Sequence, residues 1–169
     1  MRDANHIVRD MQNLCGFLER LGEIPPQVLL APMAEGKWSV QEVVAHIMVY
    51  DEGFLQTVVL ALEEERQVSV SDPADNQSFN ERAAALGRKL TKGQLLERAT
   101  LARRQLVEHL RRLPADAFGA KREGLPESDL AEVLEKDFVS HDRMHIEQMQ
   151  EYLKSRGCLG DASNGDMAQ

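Results

Sequence analysis

The sequence predicts an all-α protein, a four-helix bundle with one long crossover connection. Three observations carry that prediction. Four long segments place apolar residues three and four positions apart, the spacing that gathers side chains on one helix face. Two of those segments open with a capping box, Ser39 with Glu42 and Thr91 with Gln94. Hydrophobic residues make up 43% of the 169 but aromatics only 5%, so the apolar weight falls on Leu, Val, Ala and Met, the residues of helix packing. No useful strand-type alternation and no internal repeat competes with this reading.

The first helix is predicted from about Asp3 to Leu21, with Ile7, Met11, Leu14, Leu18 and Leu21 as its stripe and Gly22 as its end. The segment "GEIPPQVLLAPMAEGKW" is rich in Pro and Gly and reads as an irregular connection. Ser39 then starts a second helix that runs to about Arg66, with Val43, His46, Ile47, Tyr50, Phe54, Val58 and Ala61 on one face. "QVSVSDPADNQ" reads as a loop and "SFNERAAALGRKL" as a short helix. The third long helix starts at Thr91, carries Leu95, Ala99, Ala102, Leu106, Leu110 and Leu113, and stops at Pro114. After the loop "ADAFGAKREGLPESD", the fourth runs from near Ser128 to near Arg156 with Leu130, Leu134, Phe138, His141, His145, Met149 and Tyr152 as its stripe. The connection between helices two and three is long enough to cross the bundle, so these two are predicted to run parallel. Residues 1–157 form one domain in this reading, and 158–169 a flexible C-terminal tail.

Charge and composition exclude several classes. A net charge of -8 opposes a phosphate backbone, which argues against nucleic-acid binding. The basic cluster Arg103, Arg104, Arg111 and Arg112 alternates with Glu97 and Glu108 and reads as a solvated face. The N-terminal stretch "MRDANHIVRD" has no apolar signal region, and no run of about 18 apolar residues suggests a membrane span. The expectation is therefore a cytoplasmic protein. Cys15 and Cys158 show no metal spacing and are expected to be free thiols. No Ser-His-Asp or Cys-His arrangement and no Gly-rich phosphate loop is legible.

The chemistry concentrates in three histidines. His141 and His145 are four apart, which puts both rings on one helix face with about 5–6 Å between Cβ atoms. His46 lies in the stripe of another helix. If protonated, three inward imidazoles repel one another. If neutral, each needs a hydrogen-bond partner that Leu-rich stripes do not offer. A divalent metal resolves both difficulties, and the three rings are the predicted ligands.

The stretch "GKWSVQEVVAHIMVYDEGF", the "FNER" after the crossover and "SHDRMHIEQMQEYL" together resemble the DinB-like superfamily, the damage-inducible and YfiT-type proteins. The resemblance covers most of the chain. It implies a four-helix bundle with a three-His metal site, carried over onto His46, His141 and His145. It also implies an open coordination position and a metal-dependent transferase or hydrolase. A low-molecular-weight thiol would be the cosubstrate beside a small-molecule substrate. The alternative it leaves is a non-catalytic, stress-related metal-binding or interaction bundle, and a homodimer is compatible with either. Imidazoles suit Zn, Ni, Fe and Cu. The expected ion is zinc or nickel first, with iron or manganese after them.

Other polar residues near these positions have simpler readings. Glu42 and Asp137 each precede a candidate ligand by one turn, yet read as a capping carboxylate and a solvated charge. Gln148 is a candidate pocket residue, Trp38 and Tyr50 are packing residues that could wall a cavity, and Asn80 reads as a brace for its loop. His109 and His6 are expected on polar flanks.

Overall fold

A computed structural model describes residues 3–70 and 76–159 of the chain. The predicted all-α bundle is present. Among the described residues there is no strand, only an isolated bridge between Pro32 and Ser39. The first long helix comprises α1 (Ala4–Met11) and α2 (Asn13–Leu21), and a short α3 (Pro26–Leu30) follows. The second comprises α4 (Val40–Phe54), a π-helical segment Leu55–Val59 and α5 (Leu60–Glu63). The crossover contains α6 (Asn76–Lys89), and α7 (Lys92–Arg112) is the third long helix. A turn of helix, α8 (Asp116–Gly119), precedes the fourth, built from α9 (Leu130–Val133), a π-helical segment Leu134–Ser140 and α10 (His141–Ser155). Of the expected loop at 67–77, residues 71–75 lie outside the described residues, as do residues 160–169 of the expected tail; Cys158 and Leu159 pack partly buried against the core.

Both capping boxes are closed. Ser39 Oγ accepts from the Glu42 N–H at 3.2 Å while Glu42 accepts from the Ser39 N–H at 2.7 Å. Thr91 and Gln94 repeat this arrangement at 3.2 and 3.0 Å. These contacts satisfy the free donors at the starts of α4 and α7.

Side-chain pairs give the helix directions. Asp51 meets Arg103 and Glu63 meets His109, so α4–α5 and α7 run parallel. Met11 meets Arg103 while Gly22 meets Lys92, so α1–α2 runs antiparallel to α7. Tyr50 meets Asp137 while His46 meets His145, so α10 runs antiparallel to α4. The connection from α5 to α7 is therefore the long crossover. Its helix α6 lies directly on α4: a Cβ on Gly87 would stand 2.7 Å from the Ala45 Cβ, so only glycine allows this approach. The Gln41 side chain completes the contact by donating to the Gly87 and Leu90 carbonyls at 2.8 and 2.7 Å.

The core has two apolar clusters. One gathers Ile7, Met11, Phe54, Val58, Leu106, Leu110, Leu130 and Phe138; the other gathers Leu14, Leu18, Val44, Met48, Leu95, Ala99, Met149 and Leu153. Burying each such side chain contributes about 1.5–3 kcal/mol. Between the clusters lies a polar layer, with Asp51 between Met48 and Phe54, Arg103 between Ala102 and Leu106, and Asp142 between Val139 and Met149.

Arg103 corrects the sequence reading. It is fully buried, not part of a solvated face, because it stands four positions after Ala99 and three before Leu106, inside the core stripe. Its Nε and Nη2 donate to Asp51 at 2.7 and 2.9 Å, and its Nη1 and Nη2 donate to Asp142 at 2.5 and 3.3 Å. Nη1 also donates to the Met11 carbonyl at 2.9 Å. That last bond explains a second difference, the break at Gln12 in the first helix. With the Met11 carbonyl held by Arg103, the Cys15 N–H bonds to the Gln12 carbonyl at 3.0 Å, and the helix tightens there. Continuous helix from Val40 to Glu63 is long and apolar enough to cross a membrane by length and composition, and 61% of the window that meets that test is buried in the bundle.

Candidate metal centre

Helix α4 positions His46 one turn past its capping box, and α10 begins at His141 and carries His145 one turn later. Antiparallel packing brings the three together. The His46 ring centroid is 5.4 Å from that of His141 and 5.4 Å from that of His145, and the latter two are 4.3 Å apart. One ring nitrogen from each lies within 4.8 Å of the others. The Nε2 atoms of His141 and His145 are 3.0 Å apart. Two nitrogens bound at about 2.0–2.1 Å to one ion stand about 2.9–3.4 Å apart at octahedral or tetrahedral angles, so this pair already has ligand spacing. The group could hold a metal ion.

The electrostatics favour neutral rings. Burial pushes His46 down to about 4, helped by His145 and His141 and opposed by a contact from Asn80. Burial and His141 take His145 down to about 4 against a contact from Gln148. Burial also lowers His141, with Asp142 and Asp137 pulling the other way. The Nδ1 atoms of His46 and His145 are buried and have no partner in hydrogen-bond geometry. Such atoms are costly in a folded core.

The surroundings are partly aromatic. Residues 32–39 form a tight loop in which the Met33 N–H donates to the Trp38 carbonyl at 3.0 Å, with Gly36 at φ +69° making the turn. This loop sets the Trp38 ring 5.5 Å from His46. Phe79, on α6, approaches the same ring at 6.1 Å. A cleft of about 600 Å³ reaches the site at His145, with Lys37, Trp38, Gln148, Glu151 and Tyr152 in its walls. One turn below the triad, the Tyr50 hydroxyl donates to Asp137 Oδ2 at 3.2 Å. Burial raises Asp137, with Tyr50 opposing, and burial together with Asp137 holds the Tyr50 hydroxyl protonated.

The structure thus brings together His46, His141 and His145, with Trp38 and Gln148 lining the cleft. Glu42 belongs to its capping box and to an ion pair with Arg88, not to the triad. Asp137 is half-buried under Tyr50 instead of solvated, and Asn80 reaches His46 instead of only bracing its loop, because α6 packs across α4. His109 pairs with Glu63 at 2.9 Å and His6 stays exposed beside Asp3. Cys15 and Cys158 are free thiols; burial pushes Cys15 up, and neither belongs to the histidine group. Sequence reasoning missed Asp51, Asp142 and Phe79. The first two had a signal, a carboxylate within one turn of core residues on each side.

Comparison with known proteins agrees with this architecture. No curated protein sequence and no solved structure matches the chain. The model of the DinB superfamily matches residues 13–149, a span that includes all three histidines. The chain belongs to the DinB superfamily.

Proposed function

We propose that His46, His141 and His145 bind one divalent metal ion, zinc or nickel first, with iron or manganese after them. In this reading the chain is a metal-dependent transferase or hydrolase acting on a small molecule with a low-molecular-weight thiol as cosubstrate. One observation carries the proposal: three neutral imidazoles from two helices, His46 and His145 buried and His141 half-buried, converge where a cleft of about 600 Å³ meets His145. Three protein nitrogens leave coordination positions free, whereas a closed structural zinc site supplies four protein ligands. When bound, such an ion supplies Lewis acidity and lowers the pKa of a coordinated water or thiol.

The chain's own residues do the rest. Burial keeps the ligand rings unprotonated at neutral pH. Trp38 and Phe79 shield His46, which limits water at that side of the cluster. The cleft admits ligand at His145, where the Gln148 amide can orient a polar group. Tyr50 holds its proton and donates a hydrogen bond to Asp137.

The test is purification without chelator, elemental analysis, and a screen of zinc- and nickel-loaded protein with thiols and electrophiles. The expected result is stoichiometric metal and thiol-dependent turnover that chelation abolishes. Protein that takes up no metal would overturn the reading. Protein that binds metal tightly, loses thermal stability on chelation and turns over nothing would instead be the non-catalytic bundle.

A further inference from the structure

We propose that Arg103 is the positioning residue of the histidine cluster: its guanidinium, forked between Asp51 and Asp142, sets the height and rotation of the two helices that carry the rings. This inference rests on the metal-centre reading above. Asp51 lies five residues beyond His46 on α4, and Asp142 directly follows His141 on α10. Each helix that supplies a ring therefore also supplies a carboxylate to the same cation. A guanidinium has five N–H donors. Arg103 makes five contacts, two to Asp51, two to Asp142 and one to the Met11 carbonyl, so α1, α4, α7 and α10 meet at one group.

Stability does not account for such a layer. Replacing a buried ion network with apolar residues of similar volume is often neutral or stabilising, because desolvation offsets the attraction. What the network adds is registration. The flanking stripes are Leu, Val, Ala, Met and Phe, and ridges of that kind tolerate repacking. A slip of one helical turn moves a side chain by about 5.4 Å. That exceeds the 4.8 Å within which the three ring nitrogens now lie. One fork that fits only a single alignment of α4 and α10 removes the slipped alternatives.

The test compares wild type with three variants: Asp142→Asn, Arg103→Lys, and the triple Asp51→Leu/Arg103→Met/Asp142→Leu. Leu106→Ala serves as a control that weakens the core without touching the network. Zinc affinity is measured by competition with a chromophoric chelator, the Co(II) visible spectrum reports ligand geometry, and circular dichroism reports fold. The expected result is that the triple variant keeps its helix content but binds zinc about tenfold or more weakly, with an altered Co(II) spectrum. Asp142→Asn and Arg103→Lys shift in the same direction by less, and the control keeps wild-type affinity for its folded fraction. Wild-type affinity and spectrum in the folded triple variant, or in Asp142→Asn should the triple not fold, would overturn the inference. Equal loss in the Leu106→Ala control would do so as well. Wild type that binds no zinc removes the metal-centre reading itself, a different and separately visible failure.

Discussion

The guanidinium of Arg103 and the rings of His46, His141 and His145 both bridge α4 and α10, but one group is complete and the other is not. Around Arg103 every donor has an acceptor, and two carboxylates share the one cation within a space closed to solvent. Around the histidines, ring nitrogens converge without a chain cation among the described residues, and the Nδ1 atoms of His46 and His145 stay unpartnered. Folding alone satisfies the first cluster. The second leaves buried ring nitrogens without partners and is an arrangement that could hold a metal ion. The difference separates a structural polar core from a candidate metal centre, although both draw on α4 and α10.

The largest effect should come from opening the complete cluster. Arg103→Ala leaves two carboxylates buried without their cation and is expected to cost about 3–5 kcal/mol in urea unfolding. The contrast predicts the reverse for the incomplete cluster. His141→Ala should abolish stoichiometric metal in elemental analysis yet move the stability of the metal-free protein by only about 1 kcal/mol. A large loss of metal-free stability there would erase the distinction.

Acid sharpens the same contrast. In the unfolded chain a histidine takes up its proton near 6.5, whereas folded His46 and His145 do so near 4. Between those values the unfolded state binds more protons, so these rings make stability fall as pH falls from 6.5 toward 4. Asp51, pushed up by burial to about 6 against Arg103, contributes with the opposite sign. The slope of metal-free wild type should therefore exceed that of His145→Ala, measured by urea unfolding at steps across this range. Equal slopes would show that the rings are not buried as described.

Smaller effects test the supports. Gly87→Ala places a methyl against Ala45 and is expected to cost about 1–3 kcal/mol while loosening α6, which carries Asn80 and Phe79 to His46. Ser39→Ala removes one cap of α4 and should cost about 1 kcal/mol in thermal unfolding.

Much of this was legible because helices announce themselves locally. The capping boxes at Ser39 and Thr91 and the stripe through Leu95, Ala99 and Leu106 give α4 and α7 their place. The triad was legible because His141 and His145 share a face and His46 lies in another stripe. The break at Gln12 was not, because its cause is the side chain of Arg103, 92 positions from the Met11 carbonyl it holds. The wide turns at Leu55–Val59 and Leu134–Ser140 also have no periodic signature. Arg103 was hidden by company: among Arg104, Arg111 and Arg112 it looked like one more surface charge, and only its phase against Ala99 and Leu106 marked it as core.

The order of the three histidines along the chain has a consequence for how their cluster comes into being. His46 leaves the ribosome long before His145, and at about 5–20 residues per second the interval is on the order of ten seconds. A nascent chain in that interval can bury part of its first three helices but has only one of the three imidazoles. The proposed metal centre would thus be assembled last, by the helix that finishes the bundle, and a loaded centre would certify a finished molecule.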